Sequence, residues 1–203
     1  MKESSLASAS SGLAAFSRPI EAFAAAHVPG SLSNELRPAF ATWLGWLASP
    51  ARPLVAVLDA GQDRGELVED CLKVGYDNLA GELDGGIGAW RAAGRPTASV
   101  PLIEAGTHQM PNGCRVLDVR QASEWALGHL PGASHAELAS LADPRGAAGV
   151  PDRPLAVMCG HGERAMTGAS LLAAARGGTG GLSVLRGGPG DWATATGQPL
   201  EHR

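Results

Sequence analysis

The stretch AVMCGHGERAMTGASLLAAA, residues 156–175, joins an apolar run to an Ala/Leu-rich run through a short loop that opens on Cys159. Just upstream, PLAVM (154–158) has the length and unbroken apolar character of a strand buried on both faces. Downstream, ERAMTGASLLAAA (163–175) is rich in helix formers and runs into Gly177 and Gly178, a common helix stop. Strand, loop and helix in that order are the unit of an α/β fold with a mostly parallel sheet. The flanks repeat the alternation. RVLDV (115–119) reads as a second buried strand, SEWALGH as a short helix capped by Ser123, and HLPGA as a turn into another short strand. LSVLRGG gives a further strand and turn, and GDWATATG a closing helix. A linker is expected over about 97–113, with VPLIEA inside it as an edge strand of the sheet that RVLDV and PLAVM build.

The same landmarks occur a second time, earlier in the chain. AHVPGS (26–31) answers GHLPGA (128–133), RPLVAVL (52–58) answers RPLAVMC (153–159), and LDGGIGAW (83–90) answers LRGGPGDW (185–192). GRP (94–96) answers GQP (197–199), so four pairs keep their order at offsets of 101 to 103 residues. A period near one hundred residues is a domain rather than a solenoid repeat. The expected organisation is therefore two tandem α/β domains, 1–98 and 99–203, each a mostly parallel central sheet flanked by helices.

Composition narrows the function classes. A net charge of −4 over 203 residues gives no reason to expect binding to nucleic acid or to an acidic membrane. No run approaches the ~18 apolar residues of a membrane span. MKESSLASASSGLAAF, at the start, has no continuous apolar core of a secretory signal. Three cysteines without a C-x-x-C pair point away from a disulfide framework and a Cys-rich zinc site, so a cytoplasmic chain without a metal or other cofactor is expected.

The chemistry-bearing stretch is CGHGER (159–164). Ligands of open α/β sheets sit at the carboxyl ends of strands, where loops lead into helices. Cys159 is at such an end, before a helix N-terminus whose free N–H groups and dipole favour an anion such as a thiolate. Gly160 and Gly162 let the backbone curl toward the sulfur, and Arg164 brings a fixed positive charge with fork-shaped donors for an anionic substrate. His161 is a loop side chain, read as solvated, with tuning of Cys159 and contact with substrate as the alternatives. Glu163 has a sufficient role in favourable interaction with the helix dipole. These residues alone leave open a buried structural cysteine, a non-catalytic binding or regulatory module, and a cysteine phosphatase. The last places five residues between its Cys and Arg, where this loop has four.

Residues 100–200 also resemble a rhodanese domain, through LDVRQASEWALGHLPGA (117–133), CGHGER (159–164) and LRGGPGDWATATGQP (185–199) in family order. The resemblance implies a sulfurtransferase. Cys159 would take sulfane sulfur from a donor such as thiosulfate, become a persulfide, and pass the sulfur to cyanide or a thiol. It places Asp118 and Arg120 of DVR in support of the site, and His129 in a packed turn. The first copy has Leu58 where Cys159 stands and reads Phe16-Ser17-Arg18 against Asp118-Val119-Arg120, while keeping Arg64. It resembles an inactive rhodanese-like half beside an active one. That order also resembles the tail of proteins that begin with a metallo-β-lactamase-like persulfide dioxygenase, which implies a functional association with such an enzyme. No H-x-H-x-D-H cluster stands in this sequence. Trp90, Trp125 and Trp192 are expected in cores. Trp43 and Trp46 are expected in core packing or a domain interface, and Cys71 is expected to be a helix residue without a mechanism.

Overall fold

The computed structural model describes residues 13–106 and 113–202. The N-terminal dozen residues, which bear on the expected lack of a secretory signal, and the middle of the 97–113 linker lie outside the described residues. The chain divides into two compact units, Met1–Ser99 and Val100–Arg203.

In the second unit, strands β5 (Leu102–Glu104), β6 (Arg115–Asp118), β7 (Ser134–His135), β8 (Leu155–Met158) and β9 (Leu182–Arg186) form one sheet in the order β5-β9-β8-β6-β7. Every pairing is parallel. β8 is central, and its four residues, Leu-Ala-Val-Met, are all buried, as an unbroken apolar strand must be when both faces are covered. The long helix Glu163–Arg176 packs on the sheet so tightly that a Cβ on Gly168 would lie 3.3 Å from Val119 and 3.4 Å from Val157. That close approach accounts for glycine in mid-helix. The helix ends at Gly177 in the left-handed region, φ 72°, as its sequence announced. VPLIEA supplies the edge strand β5, and the closing helix spans Pro189–Thr196.

One boundary differs from the sequence reading. The short helix is Ala122–Ala126 with Gln121, not Ser123, at its N-cap. The Glu124 carboxylate reaches back to accept the Gln121 N–H at 3.2 Å, and the Glu137 carboxylate accepts the Ala122 N–H at 2.7 Å. These two bonds satisfy orphan donors, so Ser123 falls inside the helix. A 3₁₀ turn at Leu138–Ala142 and a helix at Pro144–Gly149, capped by Asp143, follow β7. Neither is expected from the sequence pattern.

In the first unit, β1 (Leu13–Phe16), β2 (Leu32–Ser33), β3 (Leu54–Val57) and β4 (Leu79–Glu82) form a parallel sheet ordered β2-β1-β3-β4. Its core gathers Phe40, Leu44, Leu54, Leu58, Cys71 and Tyr76. Local contacts recur between the units at the positions the repeat pairs. Ser17 N–H donates to Val57 O as Val119 N–H does to Met158 O, and His27 and Ala98 exchange backbone bonds as His129 and Glu201 do. Each of those histidines stacks on an aromatic ring four residues earlier: His27 on Phe23 at 3.9 Å, His129 on Trp125 at 3.5 Å. Burial lowers the His27 pKa. Trp90 is buried and Trp192 packs against the second core. Trp46 departs from expected core packing: it is exposed, edge-on to a half-buried Trp43.

Candidate active site

β8 ends at Met158, so Cys159 is delivered to the carboxyl end of the central strand. The residue is 1% exposed. Its Sγ accepts a hydrogen bond from the Gly162 N–H at 3.1 Å. Gly162 can point that N–H inward because it sits at φ 126°, ψ −29°, a left-handed conformation that a side chain would strain. Glu163 then begins a helix of 14 residues, whose first N–H groups lack intrahelical partners and whose dipole is positive at this end. Glycine, sulfur and helix start thus follow from one local sequence. His161 is exposed on the loop, and Gly160, Glu163 and Arg164 are half-buried.

Arg164 does not present a vacant fork. Its Nη1 and Nη2 donate to the two carboxylate oxygens of Glu124 at 2.6 and 2.8 Å, a bidentate pair. The guanidinium nevertheless borders the cradle, since Nη2 lies 3.7 Å from where a Cβ of Gly160 would be. The pairing pushes the Glu124 pKa down to about 2, chiefly through the Arg164 hydrogen bonds, and raises that of Arg164. Sequence reasoning missed Glu124, although it lies within the DVR-to-GHLPGA stretch. Its partner is forty residues away, and nothing local marks the pair.

Two further groups hold the site. Asp118, fully buried at the end of β6, takes Arg120 Nε and Nη2 on its carboxylate, and Arg120 Nη2 also donates to Gly128 O. The pair ties β6 to the turn GHLPGA. On the other side, the turn after β9 rests on the loop itself. Gly187 N–H donates to His161 O at 3.2 Å, and a Cβ on Gly188 would fall 2.6 Å from Gly160 O. The Asp191 carboxylate fixes that turn by accepting the Gly188 N–H.

The corresponding loop of the first unit is built otherwise. Leu58 is 4% exposed and packs in the core. Arg18 Nε grips Asp59 at 2.6 Å, and Gln62 both accepts the Asp59 N–H and donates to Ser17 O. Arg64 is committed to the carbonyls of Asp59, Ala60 and Gln62 and to Glu82. A pocket of about 500 Å³ opens beside this loop, lined by Leu58, Asp59, Arg64, Glu82 and Asp84 among others. Size is no guide to sulfur chemistry here, for that lining holds no thiol and its arginine is already paired. Cys71 is buried within the helix Arg64–Lys73, and desolvation pushes its pKa up to about 11. Among the described residues no group of His, Cys, Asp and Glu could hold a metal ion.

Residues 102–195 match the family described as Rhodanese-like domain. The second unit thus carries a rhodanese-like domain. The chain is 39% identical over 61 residues to the thiosulfate sulfurtransferase GlpE of Pseudomonas paraeruginosa, an overlap of 30% of this chain and 54% of that protein. The GlpE of Pseudomonas aeruginosa matches to the same extent. The chain therefore spans about half the length of these curated relatives. Among solved structures, a thiosulfate sulfurtransferase from Pseudomonas aeruginosa overlaps 98% of this chain and 42% of its own, at 20% identity and a TM-score of 0.37. An anaerobic ergothioneine biosynthesis enzyme from Chlorobium limicola overlaps 95% and 59%, at 15% identity and a TM-score of 0.39. Among the described residues, no helix is long and apolar enough to cross a membrane.

Proposed function

We propose that this chain is a sulfurtransferase whose Cys159 carries sulfur as a persulfide. The observation that carries the reading is the Gly162 N–H directed at Cys159 Sγ, at the start of a long helix within the rhodanese-like domain. The curated Pseudomonas relatives are thiosulfate sulfurtransferases, which supports the same class of donor.

The step is a double displacement. The Cys159 thiolate attacks the outer sulfur of a donor such as thiosulfate, a new S–S bond forms, and the old one breaks with its electron pair leaving on sulfite. Cyanide or a thiolate then attacks the terminal sulfur of the persulfide, and the electron pair of that S–S bond returns to Cys159. Covalent storage divides one transfer into two simpler ones. Backbone N–H groups and the helix dipole stabilise negative charge on either sulfur without reorganising. Gly160 and Gly162 shape the cradle, His161 stands at its exposed side, and Glu163 starts the helix. The Arg164–Glu124 pair borders the cradle, and Asp118 with Arg120 supports it from β6.

The wider organisation belongs to the same proposal. Residues 1–98 are a rhodanese-like copy without a nucleophile, and 99–203 the catalytic copy. The recurring His stacks and backbone bonds support this, as does the order β2-β1-β3-β4 beside β7-β6-β8-β9. A reducing, cytoplasmic setting fits three free cysteines. Functional association with a persulfide dioxygenase rests on the order of the two copies alone. The test is mass spectrometry of the protein after treatment with thiosulfate. Wild type gains the mass of one sulfur atom and loses it to cyanide, and C159S gains none. Absence of the adduct with every sulfane-sulfur donor tried overturns the reading.

A further inference from the structure

We infer that Glu124 is a positioning and charge-setting residue of the Cys159 site: it holds Arg164 beside the cradle and cancels its charge, so that backbone amides rather than a free guanidinium carry the sulfur anion. The sulfur-transfer part of this inference rests on the proposed function, but its effect on the thiol does not.

Geometry supplies the argument. The two carboxylate oxygens of Glu124 each take one Arg164 nitrogen, at 2.6 and 2.8 Å, which fixes both the distance and the plane of the guanidinium. Glu124 is itself fixed, because the oxygen that meets Arg164 Nη1 also accepts the Gln121 N–H that opens the helix Ala122–Ala126. The guanidinium so placed lies over Gly160, one residue from the sulfur-bearing Cys159. An uncompensated cation there would attract every anion reaching the loop. Paired with Glu124, it presents almost no net charge.

Other titratable groups stand near this pair, among them Glu137, whose carboxylate accepts the Ala122 N–H, and His135, which stacks on Trp125. Asp118 and Arg120, at the end of β6, bind each other. Asp191, at the start of the closing helix, is tied to the Gly188 N–H. On the loop itself stand exposed His161 and half-buried Glu163. In the first unit, where Leu58 replaces the thiol, Ala22 stands at the position of Glu124 and the corresponding arginine, Arg64, pairs instead with Glu82 of β4. The Glu124 arrangement thus occurs in the unit that has a sulfur to serve.

Replacing the carboxylate by its neutral isostere keeps an acceptor for Arg164 and removes the cancelling charge. In E124Q the Cys159 thiol should therefore titrate about one pH unit lower than in wild type, a tenfold gain in thiolate below the midpoint. The KM for dianionic thiosulfate should fall roughly threefold, the worth of one partly exposed charge contact. R164Q leaves Glu124 uncompensated and should move the thiol the opposite way. The double variant, with neither charge, should return close to wild type.

The experiment is a pH titration of thiolate absorbance in the ultraviolet, each protein referenced to its own C159S counterpart, beside steady-state kinetics with thiosulfate. Opposite shifts in E124Q and R164Q that cancel in the double variant establish the inference. Shifts of one sign, or none, overturn it and reduce Glu124 to a structural brace. Should E124Q fail to fold, R164Q alone decides, since an unshifted thiol there is equally fatal. If wild type moves no sulfur at all, the proposed function fails while the titration still reports on Glu124.

Discussion

Gly188→Ala isolates the contact that shapes the loop around Cys159. Gly188 has φ −126° and ψ −171°, extended backbone that any residue adopts, so the substitution brings no torsional strain. What it brings is a methyl group 2.6 Å from Gly160 O, 3.1 Å from Gly160 Cα and 3.2 Å from Gly160 C. Ordinary contact needs roughly 3.4 Å or more, so turn and loop must separate by something approaching 1 Å. All three atoms are backbone, and no flexible side chain can swing aside. Forcing extra volume into such a contact costs about 1–3 kcal/mol of stability, which would still leave most of the protein folded. The effect on chemistry should be larger in proportion, because a displacement of about 1 Å at a catalytic centre can cost on the order of a hundredfold in rate. The assay is steady-state sulfur transfer from thiosulfate to cyanide, run beside thermal unfolding. G190A is the control, since a Cβ there meets nothing within 4 Å. Wild-type turnover in G188A, with an unchanged melting temperature, would refute the account of how the loop is held.

The same geometry sets the outcome of two more substitutions. Asp118→Ala strands the Arg120 guanidinium, 8% exposed, without its carboxylate, and should cost about 3 kcal/mol or more by denaturant titration; a loss below about 1 kcal/mol would show that the pair matters little. Leu58→Cys puts a thiol at the matching point of the first unit, yet the Asp59 N–H is taken by Gln62 and Arg64 is committed. In a C159S background L58C should take up no sulfur from thiosulfate, and a sulfur adduct mapped by mass spectrometry to the peptide that bears the new thiol would contradict that.

How far the sequence reached depends on how local each feature is. The strand PLAVM, the loop CGHGER and the helix behind it are each specified within a few residues, by apolar continuity, glycine and helix propensity, and they stand in the structure where their pattern puts them. The cap at Gln121 escapes a local reading because Ser123 is the better intrinsic cap, while the deciding bonds come from Glu124 and from Glu137, fifteen residues past Ala122. Arg164 was legible as a cation beside the loop. That its fork is filled was not, since an ion pair spanning forty residues leaves no periodic trace. The glycines of LRGGPGDW were visible as a turn. Only the folded chain shows that Gly188 is there because Gly160 is in the way.

The parallel order of the second sheet also has a kinetic side. β5 pairs with β9 although the two are about 80 residues apart in sequence, and closing so long a segment is entropically the most expensive pairing in the sheet. β6 can meet β8 about 40 residues on, before β9 has left the ribosome. β9 is the strand that ends in the Gly187–Gly188 turn. The surface against which the Cys159 loop takes its final form is thus among the last parts of the domain to arrive. In a newly made chain β6, β7 and β8 are all present before the turn that the Cys159 loop rests on has been synthesised.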